Sequence, residues 1–100
     1  MSKFGELINA KVPVLIDFYT EWNEVSLSMH TVLGHVAAAL GDKAKVIKID
    51  VEKNQELASA LKIKSVPTLM IYNHGQMVWR QAGALDANSI ISLVTEQVRV

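Results

Sequence analysis

One stretch decides the fold: Val14-Leu15-Ile16-Asp17-Phe18-Tyr19-Thr20-Glu21-Trp22-Asn23-Glu24-Val25-Ser26. Its first half is a nearly continuous apolar run, typical of a central strand covered on both faces, with one acid, Asp17, in the middle. Its second half is a loop that contains Trp22 and leads into apolar residues at helical spacing. A strand, a loop and a helix N-terminus in this order present backbone N–H groups to a ligand, so the same stretch is the candidate functional site.

The segments around this stretch predict the element order α, β, α, β, α, β, β, α. The predicted elements are a helix over 2–10, strands over 14–19 and 45–49, helices over 26–40 and 55–62, a hairpin of strands over 68–72 and 76–81, and a last helix after Asp86. Because strand–helix–strand crossovers are right-handed, the first two strands should be parallel neighbours. Helices then cover both faces of a mixed sheet, in a three-layer α/β/α fold.

Length and composition exclude several classes of function. One hundred residues predict a single domain, 1–100, and the ten basic and ten acidic residues leave no basic surface for nucleic acid. The chain has no cysteine, which excludes disulfides, thiol nucleophiles and thiolate metal sites. No apolar run approaches the ~20 residues of a membrane span, and the first residues do not form a signal peptide. A soluble cytoplasmic protein is therefore expected.

Five short motifs, taken together and at their spacing, resemble the thioredoxin family. They are Asp17-Phe18-Tyr19-Thr20-Glu21-Trp22, Ile49-Asp50-Val51-Glu52-Lys53-Asn54, Val66-Pro67-Thr68, Asn73-His74-Gly75 and Ala82-Gly83-Ala84-Leu85. The resemblance covers nearly the whole chain. It implies a thioredoxin-like fold with about four strands and four helices, in which the family's first strand is missing or very short. It also implies that the Val66–Pro67 peptide bond is cis.

The residues of the family's redox reaction are absent. The family's active-site loop is Trp-Cys-Gly-Pro-Cys, and the corresponding positions here are Trp22-Asn23-Glu24-Val25-Ser26. Neither the amide of Asn23 nor the hydroxyl of Ser26 can exchange with a disulfide. The buried lysine that pairs with the acid in many family members falls at Val46, and the proline of the following helix falls at Thr31. We interpret these changes as natural loss of redox function, and the chain alone is not expected to be an enzyme.

The loop and the segment around Pro67 are predicted to form a groove for an extended peptide or a partner protein. The resemblance implies that the residue before the proline pairs its backbone with the peptide, which is a form of strand addition and needs no sulfur. The predicted groove residues are Trp22, Asn23, Glu24, Val25, Ser26, Val66, Pro67, Thr68, Gly83 and Ala84. The alternative interpretation is an inherited apolar patch with no present ligand. No cofactor and no metal are expected.

Asp17 is expected to be buried, with a raised pKa, and either to hydrogen-bond the hydroxyl of Ser26 or to be an inherited carboxyl satisfied by local groups. His30 lies four residues after Ser26, one helical turn on, so Asp17, Ser26 and His30 are the one hydrolase-like group in the sequence. His35 and His74 complete no metal-binding spacing with His30, and all three are interpreted as surface residues.

Two other functions stay open from the sequence. One is a disulfide oxidoreductase role in redox homeostasis, in which a partner supplies the thiols. The other is a structural or assembly subunit that uses the hairpin edge and Trp79. A monomer or a weak homodimer is expected.

Overall fold

The computed structural model describes residues 2–98 and has the predicted order of elements. The helices and strands are α1 (Ser2–Ile8), β1 (Val14–Tyr19), α2 (Glu24–Leu40), β2 (Lys45–Asp50), α3 (Gln55–Ala60), β3 (Thr68–Asn73), β4 (Gln76–Ala82) and α4 (Ala87–Thr95). A short 3-10 helix, Gly41–Lys43, follows α2. This is the expected α/β architecture of four strands and four helices.

The sheet places β1 at its centre. The strand order is β2-β1-β3-β4; β1 is parallel to β2 and antiparallel to β3, and β3 forms a hairpin with β4. The prediction of parallel neighbours is confirmed. Residues 14–18 have no solvent exposure, which explains the continuous apolar run of this strand. The loop that follows β1 therefore begins at the end of the most buried strand.

Two hydrophobic clusters, one on each face of the sheet, hold the helices. Successive side chains of a strand point to opposite faces, so Leu15 packs with the residues of α2 and α4, while Ile16 and Phe18 pack on the side of α1 and α3. By the same alternation Asp17 lies on the face that α2 covers. The fold thus puts the only acid of β1 under a helix.

Helix α2 starts two residues earlier than predicted, because its N-cap is Asn23. The side-chain oxygen of Asn23 accepts a hydrogen bond from the backbone N–H of Ser26 at 2.8 Å. Helices α1 and α3 are both shorter than predicted. Helix α1 ends at Ile8, and α3 ends at Ala60, since Lys62 has a φ of +58° and cannot continue a helix.

The hairpin and the start of the last helix after Asp86 are as predicted. His74 and Gly75 both have positive φ, +55° and +80°, as a two-residue hairpin turn between β3 and β4 requires. Asp86 caps α4 by accepting a hydrogen bond from the backbone N–H of Ser89 at 3.1 Å. None of the helices between residues 2 and 98 has the length and apolar character needed to cross a membrane.

Candidate functional site

The loop between β1 and α2 is fixed at both ends by Ser26. This side chain is fully buried, and its hydroxyl oxygen accepts a hydrogen bond from the backbone N–H of Thr20 at 3.1 Å. The backbone N–H of Ser26 donates a hydrogen bond to the side-chain oxygen of Asn23. Glu24 lies in the first turn of α2, where a negative charge stabilises the helix by ~0.3–1 kcal/mol. Ser26 therefore has a structural role that joins the strand to the helix.

Replacing Ser26 with Ala is expected to destabilise the fold by about 1–3 kcal/mol, because it leaves the buried amide of Thr20 without a partner. Urea unfolding followed by circular dichroism measures the loss. Ser28→Ala is the matched control, since the hydroxyl of Ser28 is exposed and donates only to the carbonyl of Val25. Equal loss in the two variants would contradict the structural role of Ser26.

The predicted groove residues divide into exposed and buried sets. The side chains of Trp22 and Val25 are 86% and 53% exposed, which is unusual for large apolar groups. Thr68 is buried, like Ser26, and its hydroxyl donates to the carbonyl of Ser65 at 2.7 Å. Trp22 and Val25 can thus contact a ligand, whereas Ser26 and Thr68 support the backbone around it.

The segment before β3 leaves one backbone unit unpaired. The Val66–Pro67 peptide bond is cis, the form that the resemblance implies. The carbonyl of Pro67 accepts a hydrogen bond from Gly83 at 2.8 Å, and Gly83 has a φ of +99°, which favours glycine. Among the backbone hydrogen bonds of the described chain, none engages the N–H or C=O of Val66. Val66 is only half-buried and can offer these groups to an extended chain.

A cavity of about 540 Å³ adjoins Val66 and was not anticipated from the sequence. Thr20 lines it from the loop side, and Ala58 and Ile63 line it from α3 and the segment after that helix. Glu52 and Lys64 place one negative and one positive charge at its wall. These residues come from four separate parts of the chain and share no motif, so only the fold reveals the cavity.

Asp17 is buried as predicted, but its carboxyl forms neither of the two predicted alternatives, a direct hydrogen bond to Ser26 or one to another local side chain, in the described chain. The hydroxyl of Ser26 faces the amide of Thr20 instead. Neither carboxyl oxygen of Asp17 has a hydrogen-bond partner in the described chain, and the Nε2 of His30 lies 3.9 Å from Oδ2. Burial raises the pKa of Asp17 to about 7, and the charge of Lys48 opposes this rise.

The structure does not assemble the hydrolase-like group. No hydrogen bond joins Ser26 to His30 in the described chain, so Ser26 has no base. The ring of His30 instead packs edge-on against Tyr19, with centroids 4.5 Å apart. Desolvation is the main cause that lowers the pKa of His30; Lys48 lowers it further and Glu21 raises it. Residues 2–98 hold no cluster of three or more histidine and acidic side chains placed to bind a metal ion.

Trp79, on strand β4 of the hairpin, contributes to the packing of the fold. Trp79 is half-buried and packs against the cluster on the α2 and α4 side of the sheet. Its neighbours Met77 and Val78 are exposed at 46% and 43%. Trp79 is therefore first a packing residue of β4.

Comparisons with known proteins agree with this geometry. The family model described as Thioredoxin matches residues 1–96. A chloroplastic thioredoxin Y of Oryza sativa subsp. japonica is 38% identical over 99% of this chain and 60% of its own length. Thioredoxin 1 of Synechococcus elongatus is 30% identical over 93% of this chain and 87% of its own length. The solved structure of a mutant thioredoxin from Halobacterium salinarum superposes with a TM-score of 0.89, at 29% identity, over 100% of this chain and 87% of that one.

These relatives contradict the expectation of a cytoplasmic protein. The rice protein is chloroplastic, and so are two relatives from Arabidopsis thaliana. The chain spans 60% of the length of the rice protein. The match over residues 1–96 and the shared fold nevertheless decide the family: this chain belongs to the thioredoxin family.

Proposed function

We propose that this chain binds an extended peptide non-covalently, through the Trp22 loop and the Val66 segment, without dithiol chemistry. The observation that carries the proposal is the exposure of Trp22 on the loop and of Val25 in the first turn of α2, together with the cavity that Thr20 of the loop shares with Val66. Large apolar side chains that are exposed close together are typical of an interaction site. The chain's lack of cysteine is the reason for excluding a covalent intermediate.

The peptide pairs its backbone with the free N–H and C=O of Val66, as in the addition of a strand. Alternate side chains of an extended peptide point to opposite sides, so one side chain enters the cavity beside Val66 while a neighbour contacts Trp22. An indole contributes a contact area of about 150–250 Å² at low entropic cost. Affinity then comes from the backbone pairing and from Trp22, and selectivity comes from the cavity.

A redox role through the thiols of a partner is the second candidate function. The observation that favours it is the similarity to proteins named thioredoxins. The reduction of insulin by dithiothreitol separates the two candidates, because a chain that only binds peptides leaves the uncatalysed rate unchanged. The chloroplastic relatives favour a plastid as the compartment in either case.

Trp22→Ala is expected to weaken peptide binding by about tenfold or more, as for an anchor residue of an interface. The probe is an array of short cysteine-free peptides; the best binders are labelled and titrated by fluorescence anisotropy. Folding stability should stay unchanged, because Trp22 is almost entirely exposed. A variant that binds as tightly as the wild type would contradict the proposal, and so would an array that retains no peptide.

The two exposed valines provide a matched control. Val25 and Val78 are 53% and 43% exposed, but Val25 lies in the first turn of α2, just after the loop, and Val78 lies in β4 of the hairpin. Val25→Ser should weaken binding of the same peptides, whereas Val78→Ser should leave their binding unchanged. The reverse result would move the binding surface to the hairpin, as the assembly alternative requires.

A further inference from the structure

Three buried polar atoms of the described chain have no hydrogen-bond partner, and all three lie at one contact. They are Oδ1 and Oδ2 of Asp17 on β1 and Nε2 of His30 on α2. Buried polar groups are nearly always paired, so three unpaired atoms on two neighbouring residues of a strand and a helix mark a defined site. The peptide-binding proposal does not use this site.

The distance between the two residues decides what they can share. Oδ2 and Nε2 are 3.9 Å apart, which is beyond the 2.7–3.2 Å range typical of an N–H···O hydrogen bond. A small rotation of the half-exposed His30 ring would close the contact once a proton lies between the two atoms. The residue that carries the proton donates it and the other residue accepts it. One proton therefore gives both atoms a hydrogen-bond partner.

We propose that Asp17 and His30 hold one proton in common, as a single acid–base unit that fastens α2 to β1 and loosens when the proton leaves. Above neutral pH the unit becomes a buried carboxylate beside a neutral imidazole. A buried charge is costly without a charged partner, so loss of the proton weakens the packing of helix on strand. The unit is thus a pH-sensitive contact within the fold.

Few other charges face the unit. On the β2 side, Lys48 is the register partner of Asp17, and on the loop side Glu21 acts on His30 with the opposite sign. Tyr19 contributes the edge-on ring contact. The buried residues of α4, Ile90 and Val94, are apolar. Lys48 is exposed and screened by solvent, so it modulates the unit without replacing His30 as the partner of Asp17.

The unit lies beneath both ends of the loop. Asp17 precedes Thr20 by three residues, and His30 follows Ser26 by one helical turn. The hydrogen bond between Thr20 and Ser26 closes the loop directly above. Loss of the shared proton therefore weakens the packing of α2 on β1 close to both ends of the loop.

A pH titration of the wild-type chain by NMR tests the shared proton without any variant. The probes are the side-chain carboxyl carbon of Asp17 and the imidazole of His30. Coupled groups titrate with macroscopic steps that belong to the pair, so both signals should show the same two steps. A single independent step at each of Asp17 and His30 would overturn the proposal.

The Asp17→Asn variant gives a second and independent measurement. Without the carboxylate, the imidazole of His30 should titrate in one step in place of the two steps of the pair. An unchanged titration curve of His30 would show that the two residues are neighbours without a common proton.

Discussion

Asp17→Asn is expected to abolish most of the decrease in stability that the wild-type chain shows between pH 5 and pH 8. In the folded protein the pKa of Asp17 is about 7, because burial disfavours its charged form. In the unfolded chain it returns to ~3.9. The folded state therefore keeps a proton that the unfolded state has released, and folding becomes less favourable as pH rises, by about 3 kcal/mol over this interval.

Urea unfolding at several pH values measures this effect. The free energy of unfolding of the wild type should fall towards pH 8, whereas that of Asp17→Asn should stay nearly level. Asp42→Asn is the control, since Asp42 is an exposed acid on the 3-10 helix after α2. The lowered pKa of His30 acts in the opposite direction, because it reduces stability as pH falls below ~6.5. Equal slopes in wild type and Asp17→Asn would contradict the buried, uncharged state of Asp17.

The double variant Asn23→Cys/Ser26→Cys is expected to reduce disulfides faster than the wild type, which has no thiol. Position 23 is half-exposed at the N-terminus of α2, where the helix lowers the pKa of a thiol and favours the attacking thiolate. Position 26 is buried one turn on, where a second thiol can attack the mixed disulfide and release the substrate. The frame of the family site would then again hold two sulfurs.

Insulin reduction with dithiothreitol measures the gain. The wild type should match the rate without protein, and each single cysteine variant should fall well below the double variant, because one thiol cannot complete the exchange. Loss of the Asn23 cap costs about 1 kcal/mol, so circular dichroism must show that the variant is folded. A folded double variant without activity would mean that the changes at Glu24 and Val25 have destroyed the geometry of the site as well as its thiols.

Local patterns were sufficient to predict most of the fold. The apolar run of β1, the hairpin around His74 and Gly75, and the helix after Asp86 each depend on neighbours in the chain, and each was predicted correctly. The ends of the shorter helices were less predictable. Asn54, for example, precedes α3 at its N-cap position, but its side-chain amide donates to the carbonyl of Asp50 and does not cap the helix. A polar side chain near a helix end can form a hydrogen bond with any of several backbone groups, and the sequence does not show which of them is closest.

The candidate site was less predictable than the fold, because its contacts join distant parts of the chain. Burial of Asp17 follows from its place in an apolar strand. The position of its carboxyl, 3.9 Å from the Nε2 of His30 and without a hydrogen bond to Ser26, depends on how α2 is rotated over β1, which helical spacing alone does not determine. The cavity beside Val66 likewise depends on where α3 rests against the sheet.

The central claim, that a family site without sulfur still binds peptide, is tested most directly by an NMR titration. The ¹⁵N-labelled wild-type chain is titrated with a cysteine-free peptide selected from the array. The account predicts saturable changes at the indole N–H of Trp22 and at the amides of Val25 and Val66, with little change at Val78. Changes confined to the hairpin around Val78, or no saturable change at all, would contradict it.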